Sequence, residues 1–220
     1  MRKTILTPLQ QTSLKAFFKS YIGEKFFLTG GTALAEFHLK HRLSEDLDLF
    51  TINQNLDFNL VNAEINKLAH QLSLTTEHQI ASPSFNQYIF RKKEETLKVD
   101  VVKDVPIQFG NPKKVQGVII DSLENIAVGK LLAMFGRAQP KDFIDLYFLF
   151  AEHHVSFWKT FKLAKKKDLG LSEFYLAHML LQIQKLEEFP QTLKPFDKDQ
   201  FHKFFINLSN KLFKKIKPQE

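Results

Sequence analysis

The chain has no cysteine among its 220 residues. That excludes disulfide staples, thiolate metal ligands and thiol nucleophiles, and it fits a reducing compartment. With one tryptophan, 8 glycines and 8 prolines, it is neither collagenous nor low in complexity. No apolar run is long enough to cross a bilayer, so no membrane partner is expected. The opening MRKTILTPLQQTSLKAFF lacks the apolar centre of a signal peptide, which points to a cytoplasmic protein. Thr7-Pro8 reads instead as a helix start. Acids are scarce beside bases: 24 against 31 Lys plus Arg, for a net charge of +7.

Apolar residues make up 44% and charged residues 25% of the chain, the balance of a globular protein with room for one domain or two small ones. The 23 phenylalanines fall mostly on apolar periodicities and read as core. The histidines form no tight metal-ligand motif, and His153-His154 reads as surface. The basic excess is greatest late, at Lys162, Lys165-Lys166-Lys167, Lys211, Lys214, Lys215 and Lys217. Charge placed there suits a polyanion such as RNA; a solvated lysine face is the competing explanation.

The segment Phe26–Phe50, FFLTGGTALAEFHLKHRLSEDLDLF, carries the chemistry. Phe26, Phe27 and Leu28 read as a buried strand ended by Gly30-Gly31, where the missing Cβ atoms allow a sharp turn and a close approach to a ligand. A helix is expected over Thr32–Leu39, its start favouring an anion, with Thr29 and Thr32 adding hydroxyls. Asp46 and Asp48 alternate with Leu47 and Leu49. On a strand the leucines face inward and the carboxylates share the opposite face. Two carboxylates so close repel unless a cation lies between them, and magnesium, which takes oxygen ligands, is the natural candidate. Asp100, the acid in the alternating run LKVDVV, is a third candidate ligand. Glu45 leaves a second register open, in which it replaces one of the aspartates.

Later, a helix through Leu123–Phe135 carries Lys130 among apolar neighbours, where a buried partner or a snorkelling stem would account for it. Pro140 suits the start of a further helix, with Asp142 and Asp145 on one face. Asp142 in the first turn also complements the helix N-terminus.

Gly30-Gly31-Thr32 followed by Arg42, Ser44, Asp46 and Asp48 resembles the first motif of the nucleotidyltransferase (polymerase β-like) superfamily. The wording GGTALAEFHLKHRLSEDLDLF is more narrowly similar to the AbiEii/AbiGii-type toxins of type IV toxin–antitoxin and abortive-infection systems. Asp100 falls where that branch carries its third acid, and Lys130, Arg137 and Lys141-Asp142-Phe143-Ile144-Asp145 match a later motif. The resemblance runs from Glu24 to about Phe150.

It implies an α/β (α+β) nucleotidyltransferase core with a mixed sheet, residues 1–112. A mainly helical C-terminal domain, residues 113–220, would complete the nucleotide cleft. It implies Mg2+, or Mn2+ in its place, on Asp46, Asp48 and Asp100, the last as ligand or base. Nucleotide binding is implied for Gly30, Gly31, Thr32, Arg42, Ser44, Lys130 and Asp145, with Asp142 completing the site. The implied reaction moves a nucleotidyl group from an NTP to an acceptor hydroxyl, the tRNA 3′ end in many members, and an antitoxin is the implied protein partner. Other readings stay open: a small-molecule, antibiotic-type nucleotidyltransferase, a nucleotide-binding regulator without turnover, or a protein-sequestering module.

Overall fold

The computed structural model describes residues 4–216, so Lys217 of the late basic run lies outside the described residues. The chain divides between Leu123 and Glu124 into two compact units.

The first unit opens with α1, Pro8–Lys19. The Thr7 hydroxyl accepts from Gln10 N at 3.1 Å and the Gln10 side chain accepts from Thr7 N at 2.9 Å. This reciprocal cap, with Pro8 at the first helical position, makes the start unambiguous. Strand β1, Phe27–Thr29, leads into α2, Gly30–Ala33, which continues as a π-helical turn over Leu34–Leu39. Lys40, at φ 51°, ends the turn and its N–H reaches back to Ala35 O at 2.8 Å.

Then follow β2, Leu47–Thr51; α3, Phe58–Gln71; β3, Thr75–Ala81; β4, Phe85–Lys92; β5, Glu95–Lys103; β6, Lys113–Val115; and β7, Val118–Ile120. Strand β3 begins only at Thr75. Leu72, Ser73 and Leu74 are consumed in ending α3, their N–H groups bonding to Leu68, His70 and Ala69 carbonyls. The β4–β5 turn falls at Lys93-Glu94, because Lys92 pairs with Glu95 and Lys93 takes the left-handed conformation.

The strands form one mixed sheet in the order β3-β4-β5-β2-β1-β7-β6. Strand β2 is antiparallel to β1 and parallel to β5, and β7 is parallel to β1. The pairings of β7 with β1 and of β6 with β7 join these two short strands to the sheet of the first unit. One face of the central strands is apolar: Leu47, Leu49, Leu97, Val99 and Val101 are all buried. Leu14 and Phe17 of α1 and Ile65 and Ala69 of α3 are buried with them and line the same small cavity. At about 25 cal/mol per Å2 of apolar surface, this layer supplies much of the unit's driving force.

The second unit is helical: α4, Leu123–Arg137; α5, Pro140–Tyr147, extended by a π-helical turn over Phe148–Glu152; α6, Phe157–Lys167; α7, Glu173–Leu181, followed by a 3-10 turn; and α8, Lys198–Phe213. Its core is aromatic. Phe143 and Phe205 meet edge to face at 4.9 Å, and Tyr147–Phe201 and Phe201–Phe205 at 5.2 Å, the geometry that ring quadrupoles favour. The Ser209 hydroxyl donates to Ala177 O at 2.9 Å and ties α8 to α7. Ile216 is exposed beyond the end of α8.

Candidate active site

The acids lie on the polar face of the sheet, opposite the apolar layer. In β2 the alternation is complete: Leu47, Leu49 and Thr51 are buried while Asp48 and Phe50 are half-buried. Asp46, one residue before the strand, shares the face of Asp48, whereas Glu45 is exposed. Strand register then assembles a transverse row. Gln87 of β4 stands opposite Asp100 of β5, Asp100 opposite Asp48 of β2, and Asp48 opposite Thr29 of β1. Residues in register across neighbouring strands project to the same side, so Asp48 and Asp100, far apart in sequence, share one face, with Asp46 at its edge just before β2.

The glycines are explained by what leans over them. Gly30 has φ +67°, and a Cβ there would overlap the Asp48 carboxylate. A Cβ on Gly31 would stand 2.7 Å from Arg42 Nη2 and 2.8 Å from Ser44 Oγ. The turn therefore brings bare backbone under Asp48, Arg42 and Ser44, the motif residues picked out from sequence. The two threonines act differently from the expectation that they offer free hydroxyls to an anion. Thr29 Oγ1 donates to Asp121 Oδ2 at 2.7 Å, and the Thr32 hydroxyl donates to the backbone carbonyl of Asp46. Thr32 thus fixes the start of the acidic strand.

A cation already sits among the acids. Lys98 Nζ lies 2.9 Å from Asp100 Oδ2 and 3.4 Å from Asp46 Oδ2, and Gln87 Nε2 donates to the other Asp100 oxygen at 2.8 Å. Partial burial pulls the Lys98 pKa down, but the Asp100 bond and the charges of Asp100 and Asp46 outweigh it and raise the value. Among the described residues no three acids or histidines stand ready-made as a metal cage. The fit to a divalent ion rests on that ammonium, which shows that Asp46 and Asp100 can converge on one positive charge.

A family model, nucleotidyl transferase AbiEii toxin of type IV toxin–antitoxin systems, matches residues 13–211. The chain belongs to this family. It is 27% identical over 206 residues to an uncharacterized protein of Aquifex aeolicus strain VF5, covering 89% of this chain and 91% of that one. Its fold is similar to that of MenT4, a nucleotidyltransferase toxin of Mycobacterium tuberculosis H37Rv, with a TM-score of 0.62 at 14% identity over 96% of this chain and 83% of that one. It is also similar to JHP933 of Helicobacter pylori, with a TM-score of 0.56 at 20% identity over 94% of this chain and 90% of that one. The α/β fold of the nucleotidyltransferase toxins, with its helical C-terminal region, is thus the fold of this chain.

In the second unit of this family member the later motif forms two ion pairs. Lys130 Nζ lies 2.6 Å from Asp145 Oδ2, both side chains buried. Arg137 grips Asp142 with two bonds, Nε to Oδ2 at 2.9 Å and Nη2 to Oδ1 at 3.0 Å. Asp142 also accepts from Gln139 N at 3.3 Å, capping α5. The buried partner for Lys130 is therefore Asp145, and Asp142 is a cap as well as a charge partner.

Three residues of the first unit escape a reading by motif. Lys98 looks like one more surface lysine until β5 is paired with β2. Gln10, 2% exposed, donates its amide to Ser44 O at 2.8 Å and Glu45 O at 3.0 Å, holding the loop that leads into Asp46. Its only sequence signal is its place in the TPLQ cap. Asp121, 1% exposed, accepts from Thr29, from Ser122 N at 2.8 Å and from Gln108 at 3.4 Å, extending the polar row beyond β1.

Proposed function

We propose that this toxin-family nucleotidyltransferase moves a nucleotidyl group from an NTP to a hydroxyl of RNA, using a divalent metal held by Asp46, Asp48 and Asp100. The observation that carries the reading is the register Thr29–Asp48–Asp100, which sets the acids on one face beside the Gly30-Gly31 turn. Bound to those carboxylates, Mg2+ or Mn2+ would neutralise phosphate charge and lower the pKa of the acceptor hydroxyl.

In the transfer, the acceptor oxygen bonds to the α-phosphorus as the bond to the bridging oxygen breaks. Pyrophosphate leaves with that electron pair, and the hydroxyl proton passes to Asp100 or solvent. The protein's share is positioning and electrostatics. Gly30 and Gly31 let Asp48, Arg42 and Ser44 close over the turn, where Arg42 and Ser44 would stand as donors to the phosphates.

The RNA acceptor is supported by charge. Lys162, Lys166, Lys211 and Lys214 are exposed, and Lys215 Nζ lies 4.1 Å from the Trp158 ring centroid, which draws the end of α8 beside the start of α6. Within the second unit the lysines at the end of α8 therefore lie toward the start of α6. Among the described residues no helix is long and apolar enough to cross a membrane.

The test incubates the protein with Mg2+, total RNA and each α-labelled NTP, beside Asp46→Asn. Label entering RNA with the wild type and not with the variant is expected. Absence of labelled RNA with all donors, or equal labelling by the variant, would overturn the reading.

A further inference from the structure

We propose that Lys98 is a built-in counter-ion that makes metal binding and triphosphate binding depend on each other. The inference rests on the reading of Asp46, Asp48 and Asp100 as the metal site. Lys98 and Asp100 are two residues apart on β5 and so project from the same face. The Lys98 ammonium bridges Asp100 Oδ2 and Asp46 Oδ2 at 2.9 and 3.4 Å, and its side chain is 35% exposed. It is therefore neither a buried structural pair nor a free surface lysine.

Asp100 needs this arrangement least for its other oxygen, which Gln87 already holds; the oxygen shared with the ammonium is the one a metal would take. A divalent ion and an ammonium cannot share those oxygens, because like charges at contact distance repel strongly in a half-buried setting. Metal entry must displace Lys98.

Displacement strands a cation beside a site that has just gained positive charge. The long, flexible lysine stem lets the ammonium move a few ångströms, and the group it then requires is an anion. The NTP brings one: its triphosphate carries several negative charges to the same face. Metal alone must therefore break an existing ion pair without return, whereas metal with nucleotide exchanges one anion for another at Lys98. By thermodynamic linkage, each ligand then raises the affinity for the other.

The experiment measures Mn2+ binding to the full-length protein by electron paramagnetic resonance, with and without the α,β-methylene analogue of each NTP in turn, which binds but cannot transfer. For the wild type, Mn2+ alone should bind weakly and an analogue should tighten it about tenfold or more. Lys98→Met should bind Mn2+ alone roughly tenfold more tightly than the wild type, with the coupling reduced by a similar factor. Lys98→Arg, which keeps the charge, should resemble the wild type, and Asp46→Asn should lose Mn2+ in either background.

Unchanged or weaker binding of Mn2+ alone in Lys98→Met, with a native circular dichroism spectrum, overturns the proposal. Should that variant fold poorly, Lys98→Gln gives the same comparison, and the absence of coupling in the wild type overturns it without any variant. The readout needs no acceptor and no turnover. Intact coupling without RNA labelling would sink the RNA acceptor and support the role of Lys98, whereas labelled RNA without coupling would do the reverse.

Discussion

Replacing Gln10 by alanine isolates a link between the first helix and the acidic strand. The side chain makes three hydrogen bonds: to Ser44 O at 2.8 Å, to Glu45 O at 3.0 Å, and from Thr7 N at 2.9 Å. It is 2% exposed, so water does not readily replace it. At about 1 kcal/mol net for each bond, the alanine variant should lose about 3 kcal/mol of local stability. Gln10→Glu keeps the capping acceptor but turns a carboxylate toward two carbonyl oxygens, and should lose at least as much.

The loss should concentrate where the bonds end. Hydrogen exchange read by mass spectrometry on peptides covering residues 40–51 should speed up by roughly 100-fold in Gln10→Ala, while peptides from α8 should be unchanged. Because Asp46 follows the clamped carbonyls directly, nucleotidyl transfer should fall by roughly tenfold to 100-fold through misplacement of its carboxylate. Exchange in 40–51 and transfer rates both within twofold of the wild type would refute the claim that Gln10 sets the loop.

The buried Lys130–Asp145 pair gives a second prediction. Lys130→Met leaves a carboxylate at 0% exposure short of its ammonium and should cost about 3–5 kcal/mol in urea unfolding, read from Trp158 fluorescence in the same unit. A shift under about 1 kcal/mol would show that Asp145 is satisfied without Lys130. A third prediction concerns pH. Burial raises the Tyr88 phenol to about 12, a shift that its Asn86 contact only partly offsets. A raised folded-state value favours the neutral phenol, so Tyr88 contributes stability in full below 10.0 that is lost as pH rises through about 12. Absorbance at 295 nm should show a last phenol ionising at about 12, and Tyr88→Phe should abolish that step. A wild-type curve finished near the model-peptide value would contradict the burial argument.

Local pattern carried the site's vocabulary. Alternation of Leu47 and Leu49 with Asp46 and Asp48 announces a strand with two faces wherever it pairs, because side-chain direction has period two in any strand. Thr7-Pro8 starts a helix for the same local reason, through a cap that needs only the next three residues. The glycine pair signals close approach, though not that Asp48, Arg42 and Ser44 are what approach. The late helical spacing of Phe201, Phe204, Phe205, Leu208, Leu212 and Ile216 reads as one face of a helix. Phe201, Phe205, Leu208 and Leu212 are buried, Phe204 is half-buried, and Ile216 is exposed past the end of α8.

What the pattern could not carry is which segment lies beside which. Lys98 and Asp46 are 52 residues apart, Gln10 and Ser44 are 34 apart, and Thr29 and Asp121 are 92 apart. Each pair meets through the packing of α1 or the strand order β5-β2-β1-β7, and neither leaves a periodic trace in the residues themselves. By itself, then, the sequence determined the acids, the glycines and the faces they occupy, because those follow from backbone geometry over a few residues. Only the tertiary structure decided their partners, Lys98 between two carboxylates and Gln10 beneath the loop, because partner choice is a property of how distant strands and helices pack.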